Sequence, residues 1–99
     1  MTAYLALTQK VNDLDKYQET YIPQVMPLLE KYGIEVLVAH FGATAIEGSA
    51  DSLVILRVES EEVWQTFYED PDYADLKAFR HTITSQSNMV LAPEFTIPG

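Results

Sequence analysis

The sequence contains no cysteine. Disulfides, thiolate metal sites and cysteine nucleophiles are thereby excluded. It is poor in basic residues: Lys and Arg number 6 against 15 Asp and Glu, for a net charge of −9. Such a surface repels nucleic acid and anionic membranes, so neither is expected as a partner. No apolar run approaches the roughly 20 residues that a membrane-spanning helix requires. The opening MTAYLALTQK lacks a basic stretch followed by an apolar core. No signal peptide is expected, and a cytoplasmic location is the default. The four glycines form neither a phosphate-binding loop nor a dinucleotide fingerprint. No G-x-S-x-G elbow exists. The two histidines, His40 and His81, lack ligand spacing, so neither a metal nor another cofactor is expected.

What remains is an ordinary globular composition, 47% apolar and 21% charged, in 99 residues. That is one domain's worth of chain, taken to span 1–99. AYLAL, residues 3–7, suits a strand. Asn12-Asp13 offers a helix cap. Leu14, Tyr17, Tyr21, Val25, Leu28, Leu29 and Tyr32 then fall at three- and four-residue steps, as far as Gly33. This stripe predicts a helix kinked by Pro23 and Pro27. EVLVAHFGATAIEG reads as a long strand with Gly42 at a bulge or bend. LVILRV is a third strand, after a turn at residues 48–52. Ser60 caps a second helical region. Pro71 breaks that region and restarts it, with Asp70 as the new cap, through about Thr82. Ser87 to Phe95 completes the set as a fourth strand.

The order β-α-β-β-α-β is the split βαβ, or ferredoxin-like, plan. It specifies a four-stranded antiparallel sheet with both helices on one face. Such a sheet should alternate apolar and polar residues, and these strands do not. Val54, Leu56 and Val58 oppose Leu53 and Ile55. Val36 and Val38 oppose Leu37, Ala39 and Phe41, and Met89 and Leu91 oppose Val90 and Ala92. The helices cover one face only. A second copy packed sheet to sheet, as a homodimer, is the simplest cover for the other.

Several of these residues group into a pattern: Tyr32-Gly33, Ile46-Glu47-Gly48, Val54-Ile55-Leu56 leading to Ser60-x-x-x-Trp64, and Phe67-Tyr68-x-x-Pro71-Asp72-Tyr73 followed by Arg80. The chain resembles the family called domain of unknown function 1330, within the dimeric α+β barrel superfamily. The resemblance covers nearly the whole chain. It implies the ferredoxin-like fold and a dimer, and supplies no reaction.

The polar exceptions on apolar elements are the candidate site residues. His40, placed on the parity of Val36 and Val38, suits a general base; a hydrogen-bonded core or rim histidine is the alternative. Arg57, on the parity of Leu53 and Ile55, needs a partner if buried. A substrate carboxylate would serve, as would Glu47 or an acid from a second copy. Arg80 either reaches a cleft between helix and sheet to hold an anion or, with His81, complements a helix dipole. Tyr4, Tyr68, Tyr73 and Trp64 would line such a cleft. At helical spacing Trp64, Phe67 and Tyr68 read more readily as core.

Two functions fit. One is a homodimer binding a small organic acid or aromatic compound in that cleft, with cofactor-free transformation as its extension. The other is a non-catalytic interaction dimer. Its contact would be the acidic stretch from Glu59 to Asp75, which has no Lys or Arg.

Overall fold

A computed structural model describes residues 1–97; Pro98 and Gly99, the end of the expected domain, lie outside the described residues. Strands β1 (Ala3–Val11), β2 (Glu35–Phe41), β3 (Ser52–Val58) and β4 (Thr84–Pro93) form one antiparallel sheet in the order β2-β3-β1-β4. Between β1 and β2 lie α1 (Leu14–Lys16), a π turn (Tyr17–Tyr21) and α2 (Ile22–Lys31); between β3 and β4 lie α3 (Glu61–Tyr68) and α4 (Pro71–Ile83). This is the α+β, ferredoxin-like plan read from the sequence.

The helix boundaries follow from side-chain chemistry. Asp13 caps α1 by accepting from the Lys16 N–H at 3.1 Å, and Ser60 caps α3 by accepting from the Val63 N–H at 3.2 Å. Asp70 accepts from the Asp72 N–H at 2.8 Å, and Pro71 fills the first helical position, where its missing N–H costs nothing. At the end of α2, Gly33 takes φ 65°. Its N–H donates to Glu30 O, and the Ile34 N–H donates to Leu29 O. This left-handed stop lets Leu29 and Ile34 bury together. The Tyr32 hydroxyl donates to the Asp70 carboxylate, and Lys31 approaches it at 3.5 Å. These contacts hold the Asp70 carboxyl below its usual range, the Tyr32 hydrogen bond first among the causes. They also tie the end of α2 to the α3–α4 junction.

Where the sequence predicted a simple kink, the chain forms a π turn directly before Pro23. The Ile22 N–H reaches back five residues to Tyr17 O. The wider turn makes room for a proline ring that would otherwise crowd the preceding carbonyls. Leu14, the first residue of the expected stripe, is exposed; Tyr17 and Tyr21 are buried.

The sheet has an inner face under the helices and an outer face. On β1, Ala3, Leu5, Leu7 and Gln9 point inward and are buried. Leu5 pairs with Leu56 and Leu91, and Leu7 pairs with Val54 and Met89. Two irregularities depart from the sequence reading. The bulge of β2 lies at Leu37, not at Gly42: Val36 pairs with Leu56 but Val38 pairs with Ile55. Every later residue of β2 therefore changes face. Val36, Ala39 and Phe41 look inward; Val38 and His40 look outward. Gly42 instead ends the strand at φ 102°, and its N–H and that of Ala43 both donate to Asp51 O. The second irregularity lies in β4, where Gln86 and Ser87 stand opposite Gln9 alone and Gln86 takes φ 52°. Strand β4 follows α4 immediately, three residues earlier than expected.

The chain measures 46 × 35 × 17 Å. The short dimension is one sheet and one helix layer. Tyr4, Ala6, Val38, Leu53, Ile55, Val90 and Ala92 share the outer face. No segment of the described chain crosses it.

Candidate functional site

The inner face and the helices enclose an apolar cavity of about 100 Å³. The sheet contributes Leu5, Leu7, Val54, Leu56 and Met89, with Val36, Ala39 and Phe41 from the flipped part of β2. Tyr17, Tyr21, Val25 and Met26 close one side; Trp64, Phe67 and Tyr73 close the other. Met26 is partly exposed and marks the mouth. At about 30 Å³ per water, the space corresponds to roughly three waters, or one ring-sized molecule.

One charge lies in this apolar shell. Arg80 occupies the last turn of α4 but turns inward, and is 1% exposed. Its position follows from phase: Tyr73, Leu76, Arg80 and Ile83 form the buried stripe of α4. Its Nη1 donates to Gln9 Oε1 at 3.1 Å and to Ser87 Oγ at 3.3 Å. The β4 bulge is what brings Ser87 to it. Nη2 lies 3.1 Å from His81 Nε2. Burial, then the neighbouring charges of Arg80 and Lys77, push His81 down, so its neutral ring accepts there. Among the described residues the Arg80 Nε–H has no hydrogen-bond partner, and the Tyr73 side chain is the main neutral group that favours the guanidinium's charge. Among the described residues no Asp or Glu forms an ion pair with Arg80.

Three tyrosine hydroxyls complete the polar part of the cavity. Tyr17 accepts from Gln9 Nε2 at 2.9 Å, and Tyr21 and Tyr73 share a hydrogen bond of 2.7 Å. Burial pushes the Tyr17 hydroxyl up. Tyr21 is pushed far above its ordinary value by burial and by the adjacent Tyr73. Both stay neutral, so neither supplies Arg80 with a counter-charge. Burial opposes the charge on Arg80, but hydrogen bonding with the Tyr73 side chain favours it, and the guanidinium stays protonated.

The other expected site residues lie elsewhere. His40 is exposed on the outer face beside Leu53, because the Leu37 bulge removes it from the parity of Val36. It does not share a site with Arg80. Arg57 is exposed rather than buried, and donates from Nη2 to Glu35 Oε1 at 3.1 Å. Its partner is Glu35, not Glu47. An exposed pair of this kind contributes little to stability. Tyr4 is half-buried on the outer face, between Arg57 and Ala92 in register. Tyr68 stands outside the cavity, in a shallow depression with Trp64, Gln65 and Leu91, with Lys77 Nζ 4.1 Å from its ring centre. Gln9 was not anticipated. Its signal was available, since it continues the inward parity of Leu5 and Leu7 as a polar residue. Among the described residues no His, Asp and Glu group gathers to hold a metal ion. None of their helices is long and apolar enough to cross a membrane.

Solved structures share this architecture. A protein of unknown function from Rhodopseudomonas palustris superimposes with a TM-score of 0.80 at 13% identity, over 97% of this chain and 84% of that one. SnoaB, a cofactor-independent oxygenase from Streptomyces nogalater, gives 0.69 at 8% identity, over 99% and 98%. A dimeric protein of unknown function and ferredoxin-like fold from Bacteroides fragilis gives 0.64 at 8% identity, over 94% and 96%. At these identities the likeness is one of fold. Comparison with curated proteins returns no match. The family model described as domain of unknown function (DUF1330) matches residues 2–95, and the chain belongs to that family.

Proposed function

We propose that the protein is a cytoplasmic homodimer that binds one small organic acid in the cavity of each subunit, with Arg80 holding the anionic end. The observation that carries this reading is a fully buried guanidinium without a carboxylate partner. A buried charge is costly unless it is compensated, and a carboxylate of a ligand would compensate it. The apolar walls suit the body of an aromatic or short-chain acid. Two independent observations support the dimer half: the apolar outer face needs a cover, and a relative in fold is dimeric. A further relative in fold is a cofactor-independent oxygenase, which makes cofactor-free transformation of the bound acid the reaction to look for. His40 and Arg57 would belong to the subunit interface rather than to the ligand.

Native mass spectrometry at graded protein concentration, with benzoate added, tests both halves. A dimer carrying one benzoate per subunit is expected. A monomer at micromolar concentration overturns the dimer. A dimer that stays bare in millimolar benzoate overturns the ligand reading and favours the interaction module.

A further inference from the structure

The donors around Arg80 point to a narrower ligand class than organic acids in general. Each cavity group can be counted for the hydrogens it still has to give. The Arg80 Nε–H is unused. Tyr17 only accepts, from Gln9, so its own O–H is free. Tyr21 and Tyr73 share a single hydrogen bond, which uses one of their two O–H groups and leaves the other. Three donors therefore belong to residues that line the same small space, with no carboxylate among those residues. An arrangement of donors without a base is suited to an oxygen that carries negative charge. A space for one ring sets the size of the body attached to it.

We propose that the cavity takes a single-ring weak acid through its hydroxyl, a phenol or a cyclic enol, and holds that hydroxyl as the oxyanion under conditions where it is neutral in water. This rests on the reading of Arg80 as an anion site. The ligand O–H bond breaks heterolytically. Its electron pair stays on the ligand oxygen, its proton leaves to solvent buffer, and nothing is oxidised or reduced. Burial alone would favour the neutral ligand. It is outweighed because the desolvation of Arg80 has already been incurred in folding, and the ligand meets a cation with no other counter-charge. The tyrosines do not ionise in the ligand's place, since burial holds Tyr17 and Tyr21 neutral.

The probes are 4-nitrophenol, whose ionised form has its own absorption band, and nitrobenzene, which has nearly the same shape and no proton to lose. Spectra are taken at a pH about one unit below the probe's own pKa, with binding followed by calorimetry. Bound 4-nitrophenol is expected to show the phenolate band, with its pKa lowered by about 1–3 units, the usual effect of a nearby opposite charge. Nitrobenzene is expected to bind more weakly. Arg80→Met should abolish the shift. Tyr17→Phe, which removes a free hydroxyl and keeps the ring, should reduce it and so provides a second reading if Arg80→Met does not fold. The inference is overturned if bound 4-nitrophenol keeps the neutral spectrum, if nitrobenzene binds as tightly, or if 4-nitrophenol does not bind while benzoate does. Where benzoate still binds, the anion site itself survives these outcomes. If benzoate also fails to bind, both readings fall together.

Discussion

An Arg80→Met protein is expected to lose benzoate affinity by about ten- to a hundredfold, yet to melt no lower than the wild type when ligand-free. The first part follows from the strength of charge-assisted hydrogen bonds, about 1.5–3 kcal/mol each. The second follows from the missing counter-charge. An ion buried without a partner costs several kcal/mol, and apolar replacement of buried ions is often neutral or stabilising. Methionine is flexible enough to fill the space. Against this gain stands the loss of the bonds to Gln9 and Ser87. Leaving Gln9 Oε1 without a donor costs about 1–3 kcal/mol, so the two effects nearly cancel. Thermal melts and a benzoate titration read the two parts separately. Unchanged affinity would remove Arg80 from the site. A large fall in melting temperature would mean that Arg80 has its counter-charge within the folded protein. A residue that binding needs and stability does not is the expected signature of a functional site.

Ile55→Asp is expected to convert the proposed dimer to a monomer that still folds. Ile55 pairs with Ala6 on one side and Val38 on the other, near the middle of the outer face. In a two-fold interface each substitution occurs twice. Two carboxylates would then be desolvated in an apolar contact, at several kcal/mol per ion. Association should weaken by more than about a thousandfold. The fold should survive because the buried core lies on the opposite side of the sheet, around Leu5, Leu56 and Phe67. Sedimentation at micromolar concentration, with circular dichroism as a check on folding, reads the result. A wild type that is itself monomeric, or an Ile55→Asp dimer, would place the contact elsewhere.

Much of the fold was legible because its signals are local. Asp13, Ser60 and Asp70 are caps, Pro71 is a restart, and Gly33 is a left-handed stop; each is recognisable from one or two residues. The irregular features were not. The Leu37 bulge inserts one residue into a run of strand formers, EVLVAHF, that has nothing local to mark it. Strict alternation through this run places His40 with Val36, whereas the bulge turns it to the opposite face. The π turn depends on how Pro23 packs in the folded chain. The start of β4 is polar, and its pairing with β1 through a bulge is a tertiary effect. The site was legible in part. Arg80 stands in phase with Tyr73, Leu76 and Ile83, which points it inward, whereas its place near a helix end suggested a dipole role. Its dependence on Gln9, 71 residues away in sequence, required the pairing of β1 with β4.

The proposed function stands or falls on recognition of negative charge by Arg80 in the cavity. The most direct measurement titrates the wild-type protein with benzoate and with benzamide, its neutral counterpart of the same shape. Trp64 is the chain's single tryptophan and lines the cavity, so its fluorescence reports occupancy. Saturable binding of benzoate at least about tenfold tighter than benzamide is the expected result, given the strength of a charge-assisted bond. Equal affinity for the two, or no response to either, would contradict it.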